Sequence, residues 1–149
     1  MENALSGGGN QLPEDIQRFI QFLHISGQDL QMLKQLEPYF QQEAENIARA
    51  HYDELLKYED MRELIYSRSS VEKLMLTFQE WLKSIPASRL DTDYVVSRKR
   101  IGHAHSRIGL PATMYIGSFV RLFEGLLPVI VRKYRWKPAQ LTEVLLALN

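Results

Sequence analysis

Apolar residues recur at helical spacing along most of this chain, and this periodicity is the feature that most restricts its fold. Between residues 39 and 57, Phe40, Ala44, Ile47, His51 and Leu55 follow one another at intervals of three or four residues, which places them on one face of a helix. Similar stripes occur around residues 13–22, 30–36, 60–66, 71–82, 94–108, 115–130 and 141–148. None of the segments keeps the alternation typical of a strand. The sequence therefore predicts an all-α domain.

Capping residues and prolines mark where the helices begin. The residues predicted to cap N-termini are Ser26, either Ser69 or Ser70, and either Asp91 or Thr92. We expect Pro38 to interrupt or restart a helix. Pro111 is expected to open one long apolar helix, in which Pro128 should cause a kink or a broken hydrogen bond. Pro138 is expected to start the last helix.

Composition limits the domain organisation and the partners. With 149 residues, the chain is long enough for one domain with a sizeable core. We expect residues 1–11 to form a flexible tail and residues 12–149 to form the domain. Because 18 basic residues balance 18 acidic ones, a nucleic-acid partner is not indicated. No uninterrupted apolar run reaches membrane-spanning length and no signal peptide is apparent, so we expect no membrane partner and a cytoplasmic location.

The segment from Arg100 to Gly117 contains the most informative histidine. In a helix, His105 shares a face with Ile101 and Ile108, whereas His103 points elsewhere. No second histidine or cysteine stands on that face at a spacing suited to zinc. A single inward imidazole among branched aliphatic side chains is compatible with an axial haem ligand. It also fits an ordinary core histidine, which is the more common case for a half-buried imidazole.

The residues around His105 carry a family resemblance. Ile101-Gly102, His105, Ile108-Gly109-Leu110 and Tyr115-Ile116-Gly117 resemble the proximal motif of the globin-coupled sensors, most closely that of their aerotaxis transducers. Met114 stands where these proteins usually have tryptophan. The resemblance implies a single-domain globin fold with an N-terminal helical extension. It also implies a haem site in which His105 is the iron ligand and Ile101, Ile108, Tyr115 and Leu74 contact the cofactor. Because the chain has no cysteine, such a haem would be b-type and held non-covalently.

The same resemblance extends to the side of the haem where a gas would bind. The run from Ser69 to Thr77 is similar to the corresponding helix of the aerotaxis transducers, and the match makes Tyr52 and Thr77 the polar contacts to the gas. Without the family match, a tyrosine bonded to a backbone carbonyl and a threonine bonded within its own helix would be preferred. For His105, a backbone carbonyl or Tyr115 is expected to bond the second ring nitrogen.

The resemblance implies a sensor that binds O₂, and also CO or NO, without catalysis of its own. It also implies a homodimer formed through the last two helices, whose apolar residues include Phe119, Phe123, Leu126, Ile130, Leu141, Val144, Leu145 and Leu148. If the chain is part of a longer protein, a C-terminal signalling domain would follow. Two alternatives remain: a globin enzyme of the nitric oxide dioxygenase or peroxidase-like type, and a haem-free sensor globin of the stressosome type.

Overall fold

The structure is a computed structural model that describes residues 12–87 and 89–148. All regular secondary structure in these ranges is helical, which confirms the predicted all-α class. The helices are α1 Glu14–Phe22, α2 Gly27–Gln35, α3 Glu37–Leu55, α4 Glu59–Arg68, α5 Val71–Ser84, α6 Thr92–Arg107, α7 Ala112–Gly117, α8 Phe119–Tyr134 and α9 Pro138–Ala147. The predicted tail at residues 1–11 lies outside the described residues.

Side-chain caps begin the helices where the sequence predicts them. The Ser26 hydroxyl accepts a bond from the Asp29 amide, and the Asp29 carboxylate accepts one from the Ser26 amide at 2.7 Å, which is a capping box. Between the alternatives left open, Ser70 caps α5 and Asp91 caps α6. Pro38 lies in the first turn of α3, so it restarts a helix rather than breaking one.

The single long helix expected after Pro111 is interrupted at Ser118, which separates α7 from α8. The Ser118 hydroxyl donates to the carbonyl of Met114 at 2.7 Å, and the Ser118 amide donates to the same carbonyl at 3.1 Å. One carbonyl thus serves two donors, an arrangement that bends helices. The Arg121 amide then bonds the Ser118 carbonyl, which is the tighter spacing of a 3₁₀ turn.

Helix α8 continues through Pro128. The missing amide at Pro128 deprives the carbonyl of Glu124 of its helical partner. Both residues are exposed, so water can take the place of the lost donor.

By length and composition alone, the stretch Ala112–Tyr134 is apolar enough to cross a membrane, since an 18-residue window within it has a mean hydropathy of 1.6. Core helices of soluble domains meet the same criteria. Leu122, Leu126, Ile130 and Tyr134 of this stretch are buried in the domain core, and charged residues such as Arg121 and Glu124 interrupt it.

Helix α3 lies at the centre of the packing, between α5 and α8. Its buried residues Phe40, Ala44 and Ile47 form the core together with Leu82 of α5 and Leu126 of α8. The approach of α8 depends on Gly125, because a Cβ atom there would overlap Cγ1 of Ile47 and lie 2.9 Å from its Cδ1. At the other end of the molecule, α2 packs against α9. This framework fixes one face of α3 against the core and leaves its C-terminal half to border a cavity.

Candidate functional site

A cavity of about 450 Å³ opens between α3, α4, α5, α6 and the α7–α8 segment, within the size range of cofactor pockets. Most of its lining is aliphatic or aromatic. All seven site residues predicted from the sequence border this one cavity, although they come from four helices and the turn after α6. These residues are Tyr52, Leu74, Thr77, Ile101, His105, Ile108 and Tyr115.

His105 is half-buried and its ring is oriented by its own helix. Its Nδ1 lies 2.8 Å from the backbone carbonyl of Ile101, one turn earlier. A carbonyl can only accept, so Nδ1 carries the proton and donates, and Nε2 retains its lone pair. Of the two partners expected for the second nitrogen, the structure has the backbone carbonyl. The neighbouring His103 is exposed and does not border the cavity.

The end of α6 holds the backbone of His105 as well. Gly109 has φ +75°, a left-handed conformation that favours glycine. Its amide bonds the Ser106 carbonyl at 3.0 Å, and the amide of Leu110 bonds the carbonyl of His105 at 3.1 Å. This pair of bonds is a Schellman motif. It places His105 three residues inside the helix end, with both its backbone carbonyl and its ring constrained.

Tyr115 packs against the imidazole rather than bonding to it. The ring centroids of His105 and Tyr115 are 5.0 Å apart, at an angle of 53°. From Tyr115, edge-to-face contacts lead to Phe119 and then to Trp81, at 5.9 and 6.3 Å. Trp81 stacks on Phe78 at 5.4 Å. A continuous set of ring contacts therefore runs along one wall of the cavity, from α6 to α5.

The two predicted polar contacts differ in how free their hydroxyl groups are. Tyr52 is half-buried, and burial raises its pKa to about 12, so it remains a neutral donor. Its hydroxyl bonds no other described residue, whereas the Thr77 hydroxyl donates to the carbonyl of Lys73 at 3.0 Å. Thr77 thus makes the bond within its own helix that the sequence left open as the ordinary alternative.

His51 is a cavity residue that the sequence reasoning did not select. Its side chain is 8% exposed, and its ring packs 4.8 Å from Phe78 and 4.9 Å from Tyr52. Burial, with further contributions from Arg121 and His105, lowers the pKa of His51 to about 4. The imidazole is therefore neutral near pH 7. The available signal was its place beside Tyr52 in the apolar stripe of α3.

Arg68, at the end of α4, borders the cavity. Among the described residues, no other Lys, Arg, Asp or Glu side chain does so. The consecutive basic residues of α6, Arg98, Lys99 and Arg100, do not border this cavity. The Arg98 guanidinium lies 4.6 Å from the Tyr94 ring and 5.6 Å from the Trp81 ring, while Lys99 and Arg100 are exposed. The cavity is thus apolar with one cationic group.

The donor set suits a flat, largely apolar cofactor that carries its own metal. Within the described residues, His, Asp and Glu side chains form no group of three or more able to hold a bare metal ion. The cavity instead offers the Nε2 atom of His105, apolar walls and one arginine. Haem matches these features. The porphyrin already provides four ligands to iron, so one imidazole can complete the binding, and its two carboxylates can pair with an arginine. The residues present therefore fit haem.

Comparison with known proteins identifies the family of this chain. Residues 12–149 match the family model described as Protoglobin. Over 112 residues, or 74% of this chain, the sequence is 31% identical to the heme-based aerotactic transducer HemAT of Halobacterium salinarum, of which it spans 23%. The globin domain of a globin-coupled sensor from Geobacter sulfurreducens has the same fold, with a TM-score of 0.81 and 26% identity over 89% of this chain and 87% of that one. The predicted globin fold and the resemblance to globin-coupled sensors are confirmed, and the chain belongs to the protoglobin family.

Proposed function

We propose that this chain is a haem-binding gas-sensor domain that binds O₂ reversibly and performs no catalysis itself. The observation that carries the proposal is His105, whose Nδ1 is bonded to Ile101 while Nε2 is free at an apolar cavity. The likeness to a heme-based aerotactic transducer supports a sensing role. The matched chain covers about a quarter of that protein, so a signalling output would belong to additional sequence.

The chain would hold haem b through three kinds of contact. Nε2 of His105 would bind the iron, Ile101, Ile108 and Leu74 would pack on the porphyrin, and Arg68 would pair with one of its carboxylates. Tyr115 holds the imidazole plane from the side. When bound, haem supplies an iron atom with one coordination position open to a diatomic gas.

Tyr52 is the main polar contact to the gas in this proposal, and Thr77 lies beside it as a second contact. A neutral hydroxyl that has no protein partner can donate a hydrogen bond to a polar ligand. O₂ accepts such a bond much more strongly than CO. A typical bond of about 0.5–1.5 kcal/mol changes affinity roughly two- to tenfold, which favours O₂ while keeping its binding reversible.

Absorption spectroscopy of the purified protein tests the haem assignment. We expect a haem spectrum in the wild type and in His103→Ala, with loss or marked weakening of haem binding in His105→Ala. The two histidines are matched in residue type and helix but differ in access to the cavity. Retention of a wild-type spectrum by His105→Ala, or absence of haem from the wild type, would refute the proposal.

Stopped-flow gas release tests the role of Tyr52. Tyr52→Phe should raise the O₂ dissociation rate by up to about tenfold and change CO release much less, because only the hydroxyl is removed. Equal changes for both gases would indicate a steric role for the ring instead.

A homodimer is the second part of the proposal, with the partner copy on α7, α8 and α9. Of the apolar residues expected at this interface, Leu126, Ile130 and Val144 are fully buried within one chain, so they serve the core. Phe119 of the expected set is exposed, and the other large exposed apolar side chains of these helices are Tyr115, Ile116, Val120, Val131 and Leu146, with 36–67% of the surface of all six accessible. Val120 and Val131 lie eleven residues apart and share a face of α8. A two-fold interface is the commonest arrangement for soluble homo-oligomers.

We further propose that the domain acts in the cytoplasm.

A further inference from the structure

His51 is the buried polar group of the cavity that the proposed function leaves without a role. It lies on α3 directly before Tyr52, and its side chain borders the same cavity as His105 and Thr77. Its ring makes no hydrogen bond to another described residue, in contrast to the ring of His105. Because no described residue pairs with this ring, its nitrogens can bond a group in the cavity.

The ring nitrogens of His51 are open to the cavity. Among the described residues, the only fully enclosed polar side-chain atom without a hydrogen bond is Oγ1 of Thr92. The nitrogens of His51 are therefore accessible, although 92% of the residue's surface is covered. Phe78 and Tyr52 cover parts of the ring. The cavity is the space beside the ring where a small molecule could reach a nitrogen.

The chemical state of His51 fits a donor to a neutral ligand. A neutral imidazole has one N–H donor and one acceptor nitrogen, and burial keeps this ring neutral near pH 7. Thr77 is less available, since its hydroxyl proton is engaged by the carbonyl of Lys73. Tyr52 and His51 are thus consecutive residues of α3 that border the cavity and whose side-chain donors bond no other described residue.

We propose that His51 is a specificity-determining residue that donates its ring N–H to a bound diatomic gas in the cavity, alongside Tyr52. This inference rests on the proposed haem and gas site. It adds His51 to the two gas contacts proposed above, Tyr52 and Thr77. The ligand class is a diatomic that accepts a hydrogen bond when bound, as O₂ does and CO barely does.

The test compares gas release in His51→Phe and in His103→Phe, the same substitution at an exposed histidine that does not border the cavity. At position 51, phenylalanine keeps an aromatic ring against Phe78 but has no donor. We expect His51→Phe to speed O₂ release about three- to tenfold, the factor that one neutral hydrogen bond gives. CO release should change less than about twofold, and His103→Phe should leave both rates within about twofold of wild type. An O₂ rate within about twofold of wild type in His51→Phe would overturn the proposal.

The double variant Tyr52→Phe/His51→Phe separates direct donation from an effect through Tyr52, since their rings touch. If each residue donates its own bond, the two rate factors multiply. If the double variant releases O₂ no faster than Tyr52→Phe, His51 acts only by positioning Tyr52 and the proposal fails.

A measurement on the unmodified protein keeps the proposal testable if His51→Phe does not fold. In ¹⁵N-labelled protein, the ring N–H proton of His51 should exchange with water at least several-fold more slowly under O₂ than under CO. Equal exchange under the two gases would overturn the proposal. Failure of the proposed function has a different signature: the wild type would then show no haem spectrum and bind neither gas. With haem and CO binding intact, a negative result refutes only the role of His51.

Discussion

Replacing Gly125 by alanine should destabilise the domain, although alanine is the better helix former. The added Cβ would overlap Cγ1 of Ile47 and lie 2.9 Å from Cδ1, and Ile47 is 2% exposed and cannot turn away. Overpacking of a filled core costs about 1–3 kcal/mol, and two close atoms favour the upper end. The helix-propensity gain offsets roughly 1 kcal/mol. We expect a net loss of about 2 kcal/mol, or a decrease in Tm of roughly 4–8 °C.

Urea and thermal unfolding measure this effect, with Gly102→Ala as the matched control. Gly102 lies inside α6, and a Cβ there would have no atom within 4 Å. The control should therefore raise stability by up to about 1 kcal/mol, a change of opposite sign. In an Ile47→Ala background, Gly125→Ala should no longer destabilise. If the two glycine variants change stability in the same direction, the close approach of α8 to α3 is not what selects Gly125.

Three further predictions concern pH, association and the end of α6. Because the folded-state pKa of His51 is lowered from 6.5 to about 4, the unfolded chain binds more protons between these values. Stability should therefore fall as the pH drops from 6.5 to 4, by at most about 3 kcal/mol, and urea unfolding of the haem-free chain should show a smaller fall in His51→Phe. Val131→Glu should convert a dimer into a monomer in light scattering, because it places a charge in an apolar interface. Leu76→Glu, at an exposed position of α5, should leave the dimer intact. An unchanged mass for both variants would show that the face of α8 with Val131 is not the dimer interface. Gly109→Ala should lower stability by about 1 kcal/mol in thermal unfolding, since alanine is strained at φ +75°; an unchanged Tm would argue against the left-handed turn.

The positions of the helices could be predicted because their signals are local. Apolar spacing and caps such as Ser26 and Asp91 act within a few residues of the helices that they define. The break at Ser118 was missed, since one extra hydrogen bond to Met114 decides it and no change in the apolar pattern marks it.

The seven site residues could be predicted to share one cavity only from the family resemblance. Residues as far apart in sequence as Tyr52 and His105 come together through tertiary packing, which no local pattern reveals. His51 was not selected, because an imidazole in an apolar stripe has the same pattern whether it packs or binds. Arg68 was missed for a related reason. Only the fold shows that the end of α4, rather than the basic run on α6, lies beside the cavity.

Helix α6 has 16 residues and none of them is buried, which has a consequence for local unfolding. A helix of this length gains little from backbone propensity alone, and the side that faces the domain borders the cavity. Its amide protons should therefore exchange with solvent through local opening, at a lower free energy than those of α3, which is anchored on both sides. A cofactor that fills the cavity would add contacts to α6 in the folded state only and slow this exchange. The helix that carries His105 is thus the part of the domain whose protection from exchange reports most directly on cavity occupancy.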